Sequence, residues 1–219
     1  MSVALAETYQ AGVAVTSHDV SHTATAHVEG LSLLPNGFDT THVGATTHVG
    51  NAVLDSTAGG SVFTVEGKGG DIWGSADDFQ FVQMPAQAGA HAALIYRVAG
   101  VDNVNALAKA GVMFRDGTNA NAASVVLDAK PDGGVEFMAR VCVGCATSYL
   151  GGAHVVFPAF LSLVRGGATF TASVFTADPG DGTTIGSVTV PMAAPIQGFA
   201  VTSHDTERVV TAVFDDPAR

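Results

Sequence analysis

At 219 residues the chain has the length of one large all-β domain or two small ones, ample to bury a core without metal or disulfide staples. Charged residues make up only 13%, about half of the roughly 25% usual in globular domains, and glycine fills 26 positions. Nine basic residues against 20 acidic ones give a net charge of −11 with no Lys/Arg cluster, which excludes a nucleic-acid footprint, and 47% apolar content excludes intrinsic disorder.

Met1 to Glu7 lacks a basic n-region, so nothing there reads as a signal peptide, and no run of about 18 apolar residues is long enough for membrane insertion. The next feature is an internal repeat. Gly12-Val13-Ala14-Val15-Thr16-Ser17-His18-Asp19 returns as Gly198-Phe199-Ala200-Val201-Thr202-Ser203-His204-Asp205. The likeness runs on through Thr25 to Glu29 against Thr211 to Asp215, and backwards through Ser2 to Leu5 against Ser187 to Val190. Residues 1–34 are therefore expected to be an N-terminal strand segment resembling the end of a preceding module, with Leu31 to Gly37 as linker, and residues 35–219 the main domain.

Thr41-His42-Val43-Gly44 and Thr47-His48-Val49-Gly50 follow, placing two histidines six apart, on one face of a strand. Metal binding and plain solvent-facing polarity both fit that spacing. Gly67-Lys68-Gly69-Gly70 then opens a segment in which Asp71, Asp77 and Asp78 flank Trp73. Several carboxylates in a glycine-rich loop suit a hard cation such as Ca²⁺; the alternative is that Asp71 and Asp77 cap turns.

Phe79 and Phe81 alternate with Gln80 and Val82, Val135, Phe137, Ala139 and Val141 with Glu136, Met138 and Arg140, and Phe170, Ala172 and Val174 with Thr171, Ser173 and Phe175. Period-2 alternation of this kind predicts half-buried strands. Between them, Pro131-Asp132-Gly133-Gly134, Arg165-Gly166-Gly167 and Asp178-Pro179-Gly180-Asp181-Gly182 are turn clusters. Asn103 to Lys109 is read as one or two helical turns. Cys142 and Cys145 form a C-x-x-C at a strand end with no βαβ context and no second pair, so a small-loop disulfide, free thiols and a metal or redox role are the alternatives. The fold class that follows is all-β, a two-sheet antiparallel jelly-roll sandwich.

Gly70 to Val82, Ala108 to Asp116, Leu163 to Thr171 and Gly198 to Asp205 occur in that order. This series resembles the concanavalin-like, laminin-G-like β-sandwich modules of secreted bacterial proteins related to the DUF1349 group. The resemblance implies a jelly roll, an extracellular or cell-surface setting and attachment to carbohydrate-active or surface proteins. Where such relatives often carry Trp or Tyr, this chain has Phe160 and Thr183 or Thr184, which leaves Trp73, Tyr96 and Tyr149, beside Tyr9, as candidates for stacking on a sugar. Trp73 also reads as a core anchor.

Ser17-His18-Asp19 and Ser203-His204-Asp205 contain the residue types of a triad, but adjacent side chains on an extended chain point apart, so both read as strand-end turns. The glutamates Glu7, Glu29, Glu66, Glu136 and Glu207 form no recognisable glycosidase pair. The expectation is a non-catalytic extracellular module that recognises a glycan or surface polymer. The alternatives are a structural subunit self-associating head-to-tail through residues 1–34, and a glycoside-active enzyme with an unrecognised cleft.

Overall fold

The computed structural model describes residues 12–217 apart from 27, 29, 48–49, 57–59, 86, 88 and 178. Two sheets face each other, as the alternation predicts. The eight-stranded sheet runs β1 (Ser32–Leu33), β3 (Ala52–Asp55), β4 (Gly60–Gly69), β15 (Asp205–Pro217), β6 (His91–Val101), β11 (Ala159–Gly166), β12 (Thr169–Phe175), β13 (Thr183–Thr189). The seven-stranded sheet runs β10 (Ser148–His154), β9 (Gly134–Arg140), β8 (Ser124–Ala129), β7 (Lys109–Arg115), β14 (Ile196–Thr202), β5 (Phe79–Met84), β2 (Asp39–Val43). Every pairing is antiparallel except the short β1–β3 contact. No described helix is long and apolar enough to cross a membrane.

Inward-facing residues of both sheets form the main core: Phe63 and Val65, Leu94, Val112 and Phe114, Leu127, Phe137, Leu161 and Leu163, Phe170, Phe199, Phe214. Phe199 stacks on Phe214 with ring centroids 4.2 Å apart, tying β14 in one sheet to β15 in the other. Tyr96 packs edge-on to Phe199 at 4.8 Å, so this candidate sugar platform belongs to the core instead.

A second apolar cluster lies on the outer face of the seven-stranded sheet: Val43, Phe79, Phe81, Met113, Val126, Met138 and Ala200, with Ile72 closing over them from the Gly70 to Asp78 loop. That cover explains a departure from the half-buried strand expected at β9. Glu136, Met138 and Arg140 do point away from Val135, Phe137 and Ala139, but Met138 and Arg140 are buried under loops. β9 ends at Arg140, and Val141 is exposed. Asn103 to Ala108 forms turns without a helix, with Asn105 accepting a hydrogen bond from Leu107 N–H at 2.9 Å. Part of the expected linker is β1, and Leu34 packs on the core.

The loops are fastened to this outer face by buried charge. Arg140 donates to both oxygens of Asp77, at 2.5 and 2.8 Å, and Arg115 lies 3.6 Å from the same carboxylate; all three side chains are sealed from solvent. Arg115 also donates to the carbonyls of Gly117 and Asn119, both at 2.7 Å, and lies over the Phe79 ring at 5.1 Å. Burial pushes Arg115 down to about 10, opposed by Asp77 and reinforced by Arg140. Asp77→Asn keeps the size of the side chain and strands two buried guanidinium groups. It is expected to cost about 3–5 kcal/mol, lowering Tm by about 6–20 °C in a circular-dichroism melt; an unchanged Tm would contradict the clamp.

Candidate functional site

At one end of this outer cluster the sheet opens into a shallow groove of about 330 Å³ lined by Asp71, Trp73, Leu107, Lys109, Glu136, Met138 and Tyr149. Strand alternation places Lys109 of β7 and Glu136 and Met138 of β9 on the outward face, and β10 adds Tyr149 at the sheet edge. The remaining wall is the Asp71 to Trp73 loop. Arg140 donates to the carbonyls of Trp73 at 3.5 Å and Gly74 at 3.3 Å, while Thr147 N–H donates to the Gly74 carbonyl at 2.7 Å. Gly74 takes a positive φ of 65°, which glycine adopts without steric cost. The buried clamp thus sets the position of Trp73.

Trp73 is 43% exposed and Tyr149 56% exposed, so both present ring surface at the groove. Trp73 is therefore no core anchor. The polar floor is charged: Lys109 pairs with Asp71, whose second oxygen lies 3.4 Å from His204 Nδ1, and Lys130 pairs with Glu136 at 3.1 Å.

Asp128 of β8 sits beside this floor, opposite Glu136 on β9 and Gly111 on β7. A Cβ at position 111 would lie 2.7 Å from the Asp128 Cβ, so Gly111 makes the room for it. Asp128 is fully buried, and among the described residues neither of its carboxyl oxygens has a hydrogen-bond partner. Burial pushes its pKa up to about 8, with Lys109 pulling down and Glu136 and Asp71 pushing up. It is a neutral acid at pH 7.

The three acidic residues considered for Ca²⁺ do not form one ligand set: Asp71 and Asp78 are joined by a backbone bridge, but each of the three carboxylates has partners of its own. Asp77 is consumed by Arg140 and Arg115, and Asp71 by Lys109 and Ile72 N–H. Asp78 accepts from His42 Nε2 at 2.7 Å, Thr46 Oγ1 at 2.7 Å and Gly70 N–H at 2.9 Å; burial alone would raise its pKa, yet these bonds from Thr46, His42 and Gly70 hold it at about 2. No group of three or more His, Cys, Asp or Glu among the described residues is arranged to hold a metal. His42 is thereby a partner of Asp78, while His48 and Tyr9 lie outside the described residues.

Cys142 and Cys145 are joined as a disulfide, with Gly144 in the left-handed region at φ 72° and the Cys145 carbonyl accepting from Arg140 Nε at 3.1 Å. The two Ser-His-Asp triplets are turns in which Ser17 and Ser203 donate to the carbonyls of Asp19 and Asp205, so neither hydroxyl is poised as a nucleophile. Sequence reasoning missed Lys109, Asp128 and Met138. Asp128 had a visible signal as the one charged residue in the strand Ser124–Ala129, directly after Val125, Val126 and Leu127.

No family model and no curated protein matches the chain. Among solved structures it is similar to a functionally unknown protein from Saccharomyces cerevisiae, with TM-score 0.54, 14% identity, and coverage of 76% of this chain and 93% of that one. It is also similar to a variant of the GH43 protein BlXynB from Bacillus licheniformis, with TM-score 0.52, 14% identity and coverage of 73% and 34%. A xylan β-1,4-xylosidase from Bacillus halodurans follows, with TM-score 0.50, 11% identity and coverage of 74% and 33%. The likeness thus spans about a third of each Bacillus protein. At these identities it is one of fold: the two-sheet antiparallel sandwich stands, and the DUF1349-related grouping has no matching family model behind it.

Asp128 carries a pH signature. The folded chain keeps this proton up to about pH 8, whereas an unfolded aspartate loses it near 3.8, so stability falls as pH rises between those values. Asp128→Asn removes this slope. The variant's Tm is expected to match the parent near pH 4, to exceed it by a margin that widens up to about pH 8, and to hold that margin above it. A Tm difference that stays flat across this range would rule out a buried neutral acid.

Proposed function

We propose that the chain is a non-catalytic recognition module that binds a glycan through the Trp73–Tyr149 groove. The observation that carries this reading is the meeting of two exposed aromatic rings over a floor of paired charges on the outer face of a jelly-roll sheet. Flat rings with polar edges suit the apolar faces of sugar rings, and Asp71, Lys109 and Glu136 offer acceptors and a donor for hydroxyl groups. Lectin domains are among the known uses of jelly rolls. Two of the similar folds occur in proteins described as a GH43 protein and a xylan β-1,4-xylosidase, which favours plant-type polysaccharide as the first ligand class to test. The Cys142–Cys145 disulfide favours an oxidising, extracellular setting.

A hydrolytic reading has one observation in its favour. Asp128 and Glu136 are cross-strand neighbours, a placement that puts Cβ atoms about 5 Å apart, and their environments differ as those of an acid and a nucleophile would. Against it, Asp128 is sealed beneath the groove and cannot reach a glycosidic oxygen.

The test is affinity electrophoresis on plant, algal and bacterial polysaccharides, with xylans first. Retention is expected, unaffected by EDTA because Asp71, Asp77 and Asp78 already have partners. Trp73→Ala or Tyr149→Ala should weaken it about tenfold or more without shifting Tm. Absence of retention on every polysaccharide would sink the proposal, and release of reducing sugar lost in Asp128→Asn would replace it with the hydrolytic reading.

A further inference from the structure

Residues 12–17 and 23–26 pair with no strand among the described residues, yet the turn between them is built on the same hydrogen-bond pattern as the turn joining β14 to β15. His18 and His204 are the two non-glycine residues of positive φ among the described residues, at 57° and 53°. The Thr16 and Thr202 hydroxyls accept from His18 N–H and His204 N–H at 3.2 and 3.4 Å. Ser17 and Ser203 donate to the carbonyls of Asp19 and Asp205 at 2.6 and 2.5 Å. Asp19 and Asp205 accept from Ser21 N–H and Glu207 N–H, both at 2.8 Å, and their second oxygens meet His22 at 2.8 Å and Arg208 at 2.7 Å.

The flanks keep the pattern of closing strands without the setting that would use it. Gly198 is required where it stands, since a Cβ there would lie 2.0 Å from the Val82 carbonyl oxygen; its counterpart Gly12 has nothing within 4 Å. Phe199 and Val201 are wholly buried, whereas Val13 and Val15 in the matching places are each 52% exposed. On the other flank Ala24, Ala26 and Val28 alternate with polar residues in the places of Val210, Ala212 and Phe214, the inward face of β15.

We infer that residues 12–30 are the closing strand pair of another sandwich of this type, whose body lies ahead of them in the same polypeptide, so that the modules form a tandem array. The occupant must be a body without its own closing pair. A second copy of this chain offers no vacancy, because its β14 lies between β7 and β5 and its β15 between β4 and β6. Entry there would expel a strand from the middle of each sheet. An incomplete body has two unpaired strand edges per sheet to be bridged, and strand addition satisfies them with backbone hydrogen bonds. This inference is independent of what the groove binds.

The test is a fusion in which residues 31–195 are joined directly to residues 10–219, so that residues 10–30 follow an incomplete body in the place of residues 196–216. Two folded sandwiches are expected, with the amides of Val13 and Val15 exchanging with deuterium at least ~100-fold more slowly than in the 219-residue chain. The double change Val13→Asp and Val15→Asp should abolish that protection and leave the second body folded. Free exchange at Val13 and Val15 with the first body unfolded overturns the inference, provided the same body folds when followed by its own residues 196–219; failure of that control overturns it as well, since residues 31–219 would then not be a self-sufficient module. Concentration-dependent oligomers of the 219-residue chain in sedimentation, lost on deleting residues 1–30, overturn it in favour of exchange between copies.

Discussion

Two guanidinium groups and one carboxylate share a volume from which water is excluded, and the outer face of the seven-stranded sheet is organised around that fact. Arg140, Arg115 and Asp77 together carry an excess positive charge, which low dielectric makes costly unless dipoles surround it. The dipoles are backbone carbonyls: those of Trp73, Gly74, Ala120, Ala122 and Cys145 around Arg140, and those of Gly117 and Asn119 around Arg115. Satisfying the buried charge therefore pulls three separate loops onto one strand surface. An apolar residue in place of Arg140 would leave those loops without a common anchor.

The groove is a by-product of where this cover stops. Ile72 and Met138 belong to the covered cluster, whereas Trp73 and Tyr149 lie just beyond it and stay accessible. Charge is graded across the same face, from the sealed Arg–Asp knot, through the buried acid Asp128 and the buried Lys109 with its half-buried partner Asp71, to the partly exposed pair Lys130–Glu136. The partly exposed Lys130–Glu136 pair and the open side of Asp71 can exchange protein partners for ligand hydroxyls at little cost, because water already competes for them. The buried knot cannot.

The repeat separates two kinds of structural information. Its turn forms in both copies because the bonds that define it span two or three residues and need nothing from the rest of the chain. Among the described residues its flanks are strands at the C-terminal copy alone, where β4, β5, β6 and β7 supply ladders on both sides. A strand has no internal hydrogen bonds, so identity of sequence does not make identity of structure.

Much of the sandwich was legible in the chain itself: alternation at Phe137 and Phe170 marked strands and their inward faces, Asp-Gly and Gly-Gly clusters marked several turns, and Gly12 to Asp19 against Gly198 to Asp205 marked the duplication. These are local or periodic properties, written in neighbouring residues. The candidate site was only half legible. Trp73 and Tyr149 were singled out for their chemistry, but Tyr96 was equally eligible until packing against Phe199 removed it. Asp71, Asp77 and Asp78 looked like one acidic set, and partners far away in sequence (Lys109, Arg140 and His42) divided them among three unrelated roles. Composition and alternation by themselves determined an acidic, glycine-rich two-sheet fold. Which carboxylates are neutralised, which aromatics face water and which copy of the repeat becomes sheet were decided by tertiary contacts, because burial and hydrogen-bond partnership depend on residues 36 to 133 positions apart.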